Sequence, residues 1–155
     1  MLDMDPSLAE AIRARIEREE LGNVEAGALA CGVTHSVRIK RAGIMARLAG
    51  GAPKDVDHGL MVTPVWFFVA TRSGKDDSAA VMAFRLRDLE AKDFGRSEMA
   101  MLALDSGVEV TGAPLGGLER VTMFVPLADS PDGDHLKQVL FEAVRAAGGT
   151  APVAG

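Results

Sequence analysis

The chain has few of the residues around which chemistry is usually built. Tyrosine is absent, tryptophan occurs once, at Trp66, and the six phenylalanines lie mostly inside apolar runs. Aromatic and basic residues therefore do not interleave, and the stacking platform that grips single-stranded nucleic acid is missing. One cysteine, Cys31, has no second cysteine for an internal disulfide and excludes every paired-cysteine metal site. The three histidines, His35, His58 and His135, have no second ligand at helical or zinc-ribbon spacing. No apolar run approaches the roughly 20 residues of a membrane-spanning helix. The opening residues "MLDMDPSLAEAIRARIEREE" are acidic and charged where a secretory signal is basic and apolar. A cytoplasmic chain with no cofactor and no metal is expected.

What is present suits one domain. The 155 residues are 48% hydrophobic and 25% charged, a globular composition long enough to bury a core unaided. The net charge of −5 argues against non-specific nucleic-acid binding, which normally shows as an excess of Lys and Arg. The charge is segregated: residues 26–54 carry Arg38, Lys40, Arg41, Arg47 and Lys54 and no acidic residue, while the flanking segments are acidic.

Asp5-Pro6 is a cap followed by proline at a first helical position, Ser7 and Glu10 have capping-box spacing, and Leu8, Ile12 and Ile16 recur every fourth residue. These predict a helix over 6–21, ended by Gly22-Asn23. Its apolar stripe is thin, so it reads as a solvated helix lying on the domain and dispensable for the sheet, or else as a helix that pairs with a second copy of the chain. From Gly27 the period shifts toward two. Cys31, Val33, Val37 and Ile39 share a parity with Gly32 as a bulge or bend, which predicts one long strand or two short ones in line. A second strand is expected over about 59–71, where "LMVTPVWFFVATR" is apolar on both parities and so covered on both faces. "RSGKDDS" reads as a hairpin loop and "AAVMAFRL" as the return strand, wet on its Arg85 side. Strand signal continues over 88–94, is ambiguous with a short helix across "SEMAMLAL", and resumes at "GVEVTG" and "LERVTMFVPL", joined by the turn-rich "APLGG". Ser130-Pro131 opens a final helix over 132–147, with Leu136, Val139, Leu140, Ala143, Val144 and Ala147 on one face and Gly148-Gly149 at its end. Leu136, Leu140 and Val144 should meet Trp66, Phe84 and Phe124 in one core.

Short strands at hairpin spacing, finished by "LERVTMFVPLADSPDGDHLKQVLFEAV", resemble a pleckstrin-homology-like (PH-like) roll. In that fold a bent antiparallel sheet closes into a partial barrel and a C-terminal helix plugs one end. The resemblance spans residues 26–147 and rests on element order, since that superfamily shares almost no fixed residues. It implies an α+β organisation: a helical extension at 1–25, the roll at 26–147 and a mobile tail at 148–155. It also implies a binding module whose partner is a protein, a peptide or an anionic lipid headgroup. In phosphoinositide-binding members a Lys/Arg cluster in the first strand and first connection grips the headgroup. Arg38, Lys40, Arg41, Arg47 and Lys54 occupy that region here, at spacings that differ from that cluster's, and are the candidate anion-binding residues.

Other constellations read as structure. Asp55, Asp57 and His58 could face a cation, yet such loops are ordinarily solvated connections. Cys31 and His35, four apart on a strand, lie about 13 Å from each other, too far for a nucleophile and its base. "GAPLGG" lacks the Lys-Ser/Thr of a phosphate loop. The rival to a binding module is a small enzyme or small-molecule binder whose polar groups converge only in the fold.

Overall fold

The computed structural model describes residues 4–37, 55–73, 79–93, 107–127 and 130–153. The first helix, α1, spans Pro6–Arg18. Asp5 caps it by accepting the Ser7 amide at 2.9 Å and the Ser7 hydroxyl at 2.7 Å, and Pro6 takes a position where an amide proton would have no helical partner. The helix stops short of the expected residue 21. Glu20 swings into the left-handed region at φ 53°, and the Leu21 amide reaches back to the Ile16 carbonyl at 3.0 Å.

Seven strands follow among the described residues. The first four, β1 (Ala30–Val37), β2 (Asp55–Val62), β3 (Trp66–Ser73) and β4 (Ala80–Arg85), form an antiparallel meander in sequence order. The next three, β5 (Glu90–Asp93), β6 (Gly107–Gly112) and β7 (Val121–Pro126), form a second antiparallel meander. The last helix, α2 (Pro131–Ala147), starts at Ser130, whose hydroxyl accepts the Gly133 amide at 3.2 Å, and ends at left-handed Gly148, as its sequence signals imply. The chain is an α+β protein with mainly antiparallel sheet, a helix at its N-terminal side and a helix at its C-terminal side.

The single strand expected over 59–71 is a hairpin. Pro64 has no amide proton to give a ladder, and the Thr63 hydroxyl closes the turn by accepting the Trp66 amide at 2.8 Å and the Val65 amide at 3.2 Å. Both parities of β3 are covered, as the apolar run requires. Phe67 and Val69 point inward with Leu60, Val62 and Phe84, against Val108, Val110 and Val125 of the second sheet and Leu136, Leu140 and Val144 of α2. Trp66, Phe68 and Ala70 point outward, with Met61 and Ala83, under Leu8, Ile12 and Ile16 of α1.

Two layers of core therefore replace the single core expected. Trp66 belongs to the outer one, and Phe124 is half-buried outside both. The helix expected to be a dispensable extension supplies that outer layer: Leu8 and Ile12 are fully buried, and the stripe offered to a second copy in the alternative reading is covered by the chain's own sheet. The contact is close enough to exclude a side chain at Gly59, where a Cβ would lie 2.9 Å from both Leu8 Cβ and Met4 Sδ. Nor is there a bulge at Gly32, since β1 pairs with β2 without interruption from Ala30↔Val62 to Val37↔Asp55. Gly32 faces inward beneath Leu136, whose Cδ2 would lie 3.2 Å from a Cβ there, and the Cys31 and Val33 parity faces outward, with Val33 exposed. The expectation of a mobile tail from residue 148 does not extend to Thr150, which accepts the Ala91 amide at 2.8 Å and donates to the Leu89 carbonyl at 3.0 Å, running parallel to β5.

Candidate functional site

The candidate anion-binding residues Arg38, Lys40, Arg41, Arg47 and Lys54 lie outside the described residues, as does the 97–104 segment read as strand or helix. Asp57 and His58 are described, and strand alternation sends them to opposite faces of β2. They do not converge on a cation. His135 is exposed on α2.

Asp57 belongs to an ionic clamp on the outer face. Arg72 of β3 places Nη2 2.9 Å from Asp57 Oδ2 and Nη1 3.1 Å from Asp5 Oδ1, and also contacts the Ser7 hydroxyl, fastening the first turn of α1 to the sheet. The Ser7 hydroxyl and then the Arg72 guanidinium hold the Asp5 carboxyl well below the usual carboxylate range. His58 lies inward, buried, in register with Thr34 of β1 and Thr71 of β3. Its Nδ1 is 3.2 Å from Thr71 Oγ1, and burial pushes the imidazole pKa down against the opposing pull of Asp57. Thr34 Oγ1 is enclosed with no hydrogen-bond partner among the described residues. Among the described residues no three His, Cys, Asp or Glu side chains gather in a way that could hold a metal ion.

The concavity with the clearest division of labour is on the outside. The last turn of α1 (Arg15, Arg18, Glu19), β4 (Val81, Met82) and the β6–β7 connection (Pro114, Leu115, Gly116, Gly117) enclose an open cleft of about 490 Å³. The connection is held from two sides: the Leu115 amide donates to the Ala83 carbonyl at 2.8 Å, and Arg15 Nη2 donates to the Leu115 carbonyl at 2.7 Å. Gly116 takes φ 85° to make that turn. Arg15 also lies 3.5 Å from Glu19, one helical turn on. Val81, Met82, Pro114 and Leu115 give it apolar contacts, and Arg15, Arg18 and Glu19 give it charged ones. Leu118, fully exposed, follows directly in the connection. The second cleft, about 340 Å³ behind α1, is bordered mainly by charged side chains and contains the Arg13–Glu25 ion pair at 2.9 Å. Sequence reading marks "GAPLGG" as a turn and stops there, because the cleft exists only once α1 is docked on the sheet.

No family model matches the sequence, and no curated protein matches it. Among solved structures the chain is similar to the hSac2 domain from the human phosphoinositide phosphatase Sac2, with 13% identity and a TM-score of 0.47 over 92% of this chain and 88% of that one. A likeness at this level bears on neither substrate nor partner. No helix among the described residues is long and apolar enough to cross a membrane.

Proposed function

We propose that the chain is a PH-like, non-catalytic interaction module that binds a protein or peptide segment on its outer surface. The element order supports the PH-like part: a four-stranded meander, a three-stranded meander, then a helix packed against the inner faces of both sheets. The observation that carries the functional part is the filled interior. The space between the sheets and α2 is occupied by Phe67, Phe84, Leu136, Leu140 and their neighbours, so recognition falls to the outside, where the α1–β4 cleft lies open. Selection of displayed random dodecapeptides on the immobilised chain, followed by amide NMR titration of a selected peptide, tests this reading. Enriched peptides should bind with dissociation constants in the micromolar range and shift the resonances of Val81, Met82 and Leu115 to Gly117. A selection that enriches nothing, or shifts confined to the inner face, would count against it.

An anionic membrane is a second partner class, favoured by the segment from Arg38 to Lys54, which holds Arg38, Lys40, Arg41, Arg47 and Lys54 and no acidic residue. Attraction of about 1 kcal/mol per basic residue that weakens with salt predicts vesicle binding at low ionic strength. Phosphoinositide-containing vesicles should sediment the wild type at low salt and leave Arg38→Glu, Lys40→Glu in solution.

A further inference from the structure

The floor of the cleft has a hydrogen-bonding edge that no strand among the described residues uses. In the sheet order of those residues, β4 is an edge strand. The Leu86 amide donates to the Val65 carbonyl at 2.9 Å, and the register continues Trp66↔Arg85, Phe67↔Phe84 and Val69↔Met82. Alternation along an antiparallel ladder then turns the main-chain groups of Phe84 and Met82 toward β3 and those of Val81, Ala83 and Arg85 away from it. The Leu115 amide takes one outward group, the Ala83 carbonyl. Two residues back, the N–H and C=O of Val81 face the cleft with no strand beside them among the described residues.

The rim adds charge to this geometry. Glu19 is engaged by Arg15, whose enclosed Nε has no acceptor among the described residues. Arg18, exposed on the last turn of α1, forms no ion pair among the described residues. The Val81 side chain points to the α1 side of the sheet, so a residue paired with Val81 on an added strand would point the same way, toward Arg15 and Arg18. Its two neighbours would point to the opposite side, beside Met82.

We propose that the cleft takes an extended acidic peptide segment of a partner protein, which adds to the β4 edge at Val81, directs a carboxylate to Arg18 and flanks it with apolar residues. This rests on the interaction-module reading and specifies its ligand. Strand addition supplies the main-chain bonds and the Arg18 rim selects the charge.

The test uses the full ¹⁵N-labelled chain at low salt and three acetylated, amidated heptapeptides: Ser-Val-Glu-Val-Glu-Val-Ser, its counterpart with lysine for glutamate, and the glutamate peptide N-methylated at both glutamates. In the free protein the Val81 amide should exchange with solvent faster than the Met82 amide; the reverse order overturns the edge assignment. The glutamate peptide should slow Val81 exchange at least about tenfold, since an edge amide becomes a ladder amide. The lysine peptide should bind roughly fivefold more weakly, the scale of an exposed ion pair, and Arg18→Glu should reverse that order. N-methylation removes the donors that face Val81 and should abolish binding. Equal binding of the N-methylated peptide, unchanged Val81 exchange or a charge preference that ignores Arg18→Glu overturns the inference. If the alternating peptides fail while selected dodecapeptides bind, strand addition falls and the module reading stands; if no peptide binds, both fall.

Discussion

Replacing Ile12 by alanine asks whether α1 belongs to the cooperative core. Ile12 is fully buried in the outer layer, with Leu8 beside it on the helix and Met61 and Phe68 in the same cluster. The substitution removes three buried carbons, each worth about 0.8 kcal/mol in transfer, and the unfilled space adds to the loss. The higher helix propensity of alanine returns a few tenths. The net cost is about 2–4 kcal/mol, a large share of the 5–15 kcal/mol typical of a whole domain. With about 2.1 cal/mol/K of unfolding entropy per residue over 155 residues, this lowers Tm by roughly 6–12 °C. Urea unfolding followed by fluorescence is the assay, because Trp66, the only tryptophan, sits in the same cluster. Leu140→Ala in the inner core should cost a similar amount, on the order of 2–5 kcal/mol. Glu17→Ala, on the exposed face of α1, should stay within about 0.5 kcal/mol of wild type. If Ile12→Ala behaves like Glu17→Ala while Leu140→Ala is costly, α1 is an appendage and the two-layer account is wrong.

Glu20→Gly should stabilise the protein by about 0.5–1 kcal/mol, read in the same urea experiment, because φ 53° strains a residue with a Cβ and not glycine; a loss of stability would mean that the Glu20 side chain has an unrecognised role. Asp5 has a folded-state pKa depressed below its unfolded value, so it contributes stability above about pH 4 that is lost as the pH falls toward the depressed value. The gap between wild type and Asp5→Asn should therefore narrow from pH 6 to pH 2.5, and a constant gap would contradict the Arg72 clamp. Burial holds His58 below its ordinary pKa of about 6.5, so the unfolded chain binds the proton first and this residue makes stability fall as the pH drops below that value. An NMR titration of the His58 ring with a midpoint at or above 6.5 would refute its burial.

The parts of the fold legible in the sequence are those written in local signals. Ser130-Pro131 and Gly148 bound α2 because a hydroxyl cap, a proline without a donor and a left-handed glycine act over one turn. Double coverage of β3 is legible too, since Trp66, Phe67, Phe68 and Val69 leave no polar parity. What covers each face is not, because it depends on long-range packing. The stripe of α1 looks too narrow to matter, yet Met61, Phe68 and Ala83 give it a flat apolar surface on which three isoleucine or leucine side chains suffice. In β1 the apolar parity of Cys31 and Val33 faces outward while Gly32 and Thr34 face the core, because Leu136 needs the space above Gly32. At Pro64 the turn prevails over the continuous apolar run and divides it into β2 and β3. The cleft draws on residues near 15, 81 and 115, a grouping for which no linear pattern exists.

The placement of the two helices on the faces of the first sheet also sets the order in which its faces become covered during synthesis. α1 precedes every strand and can settle as β2 to β4 emerge, whereas α2 follows them all. At about 5–20 residues per second, Phe67, Val69 and Phe84 are made several seconds before Leu140 and Val144 can shield them. Throughout that interval the nascent chain presents a bare apolar face and an open strand edge, the combination that recruits neighbouring chains. Changes that weaken α2 docking should thus deplete soluble protein in the cell by a larger factor than the stability of the purified molecule would suggest.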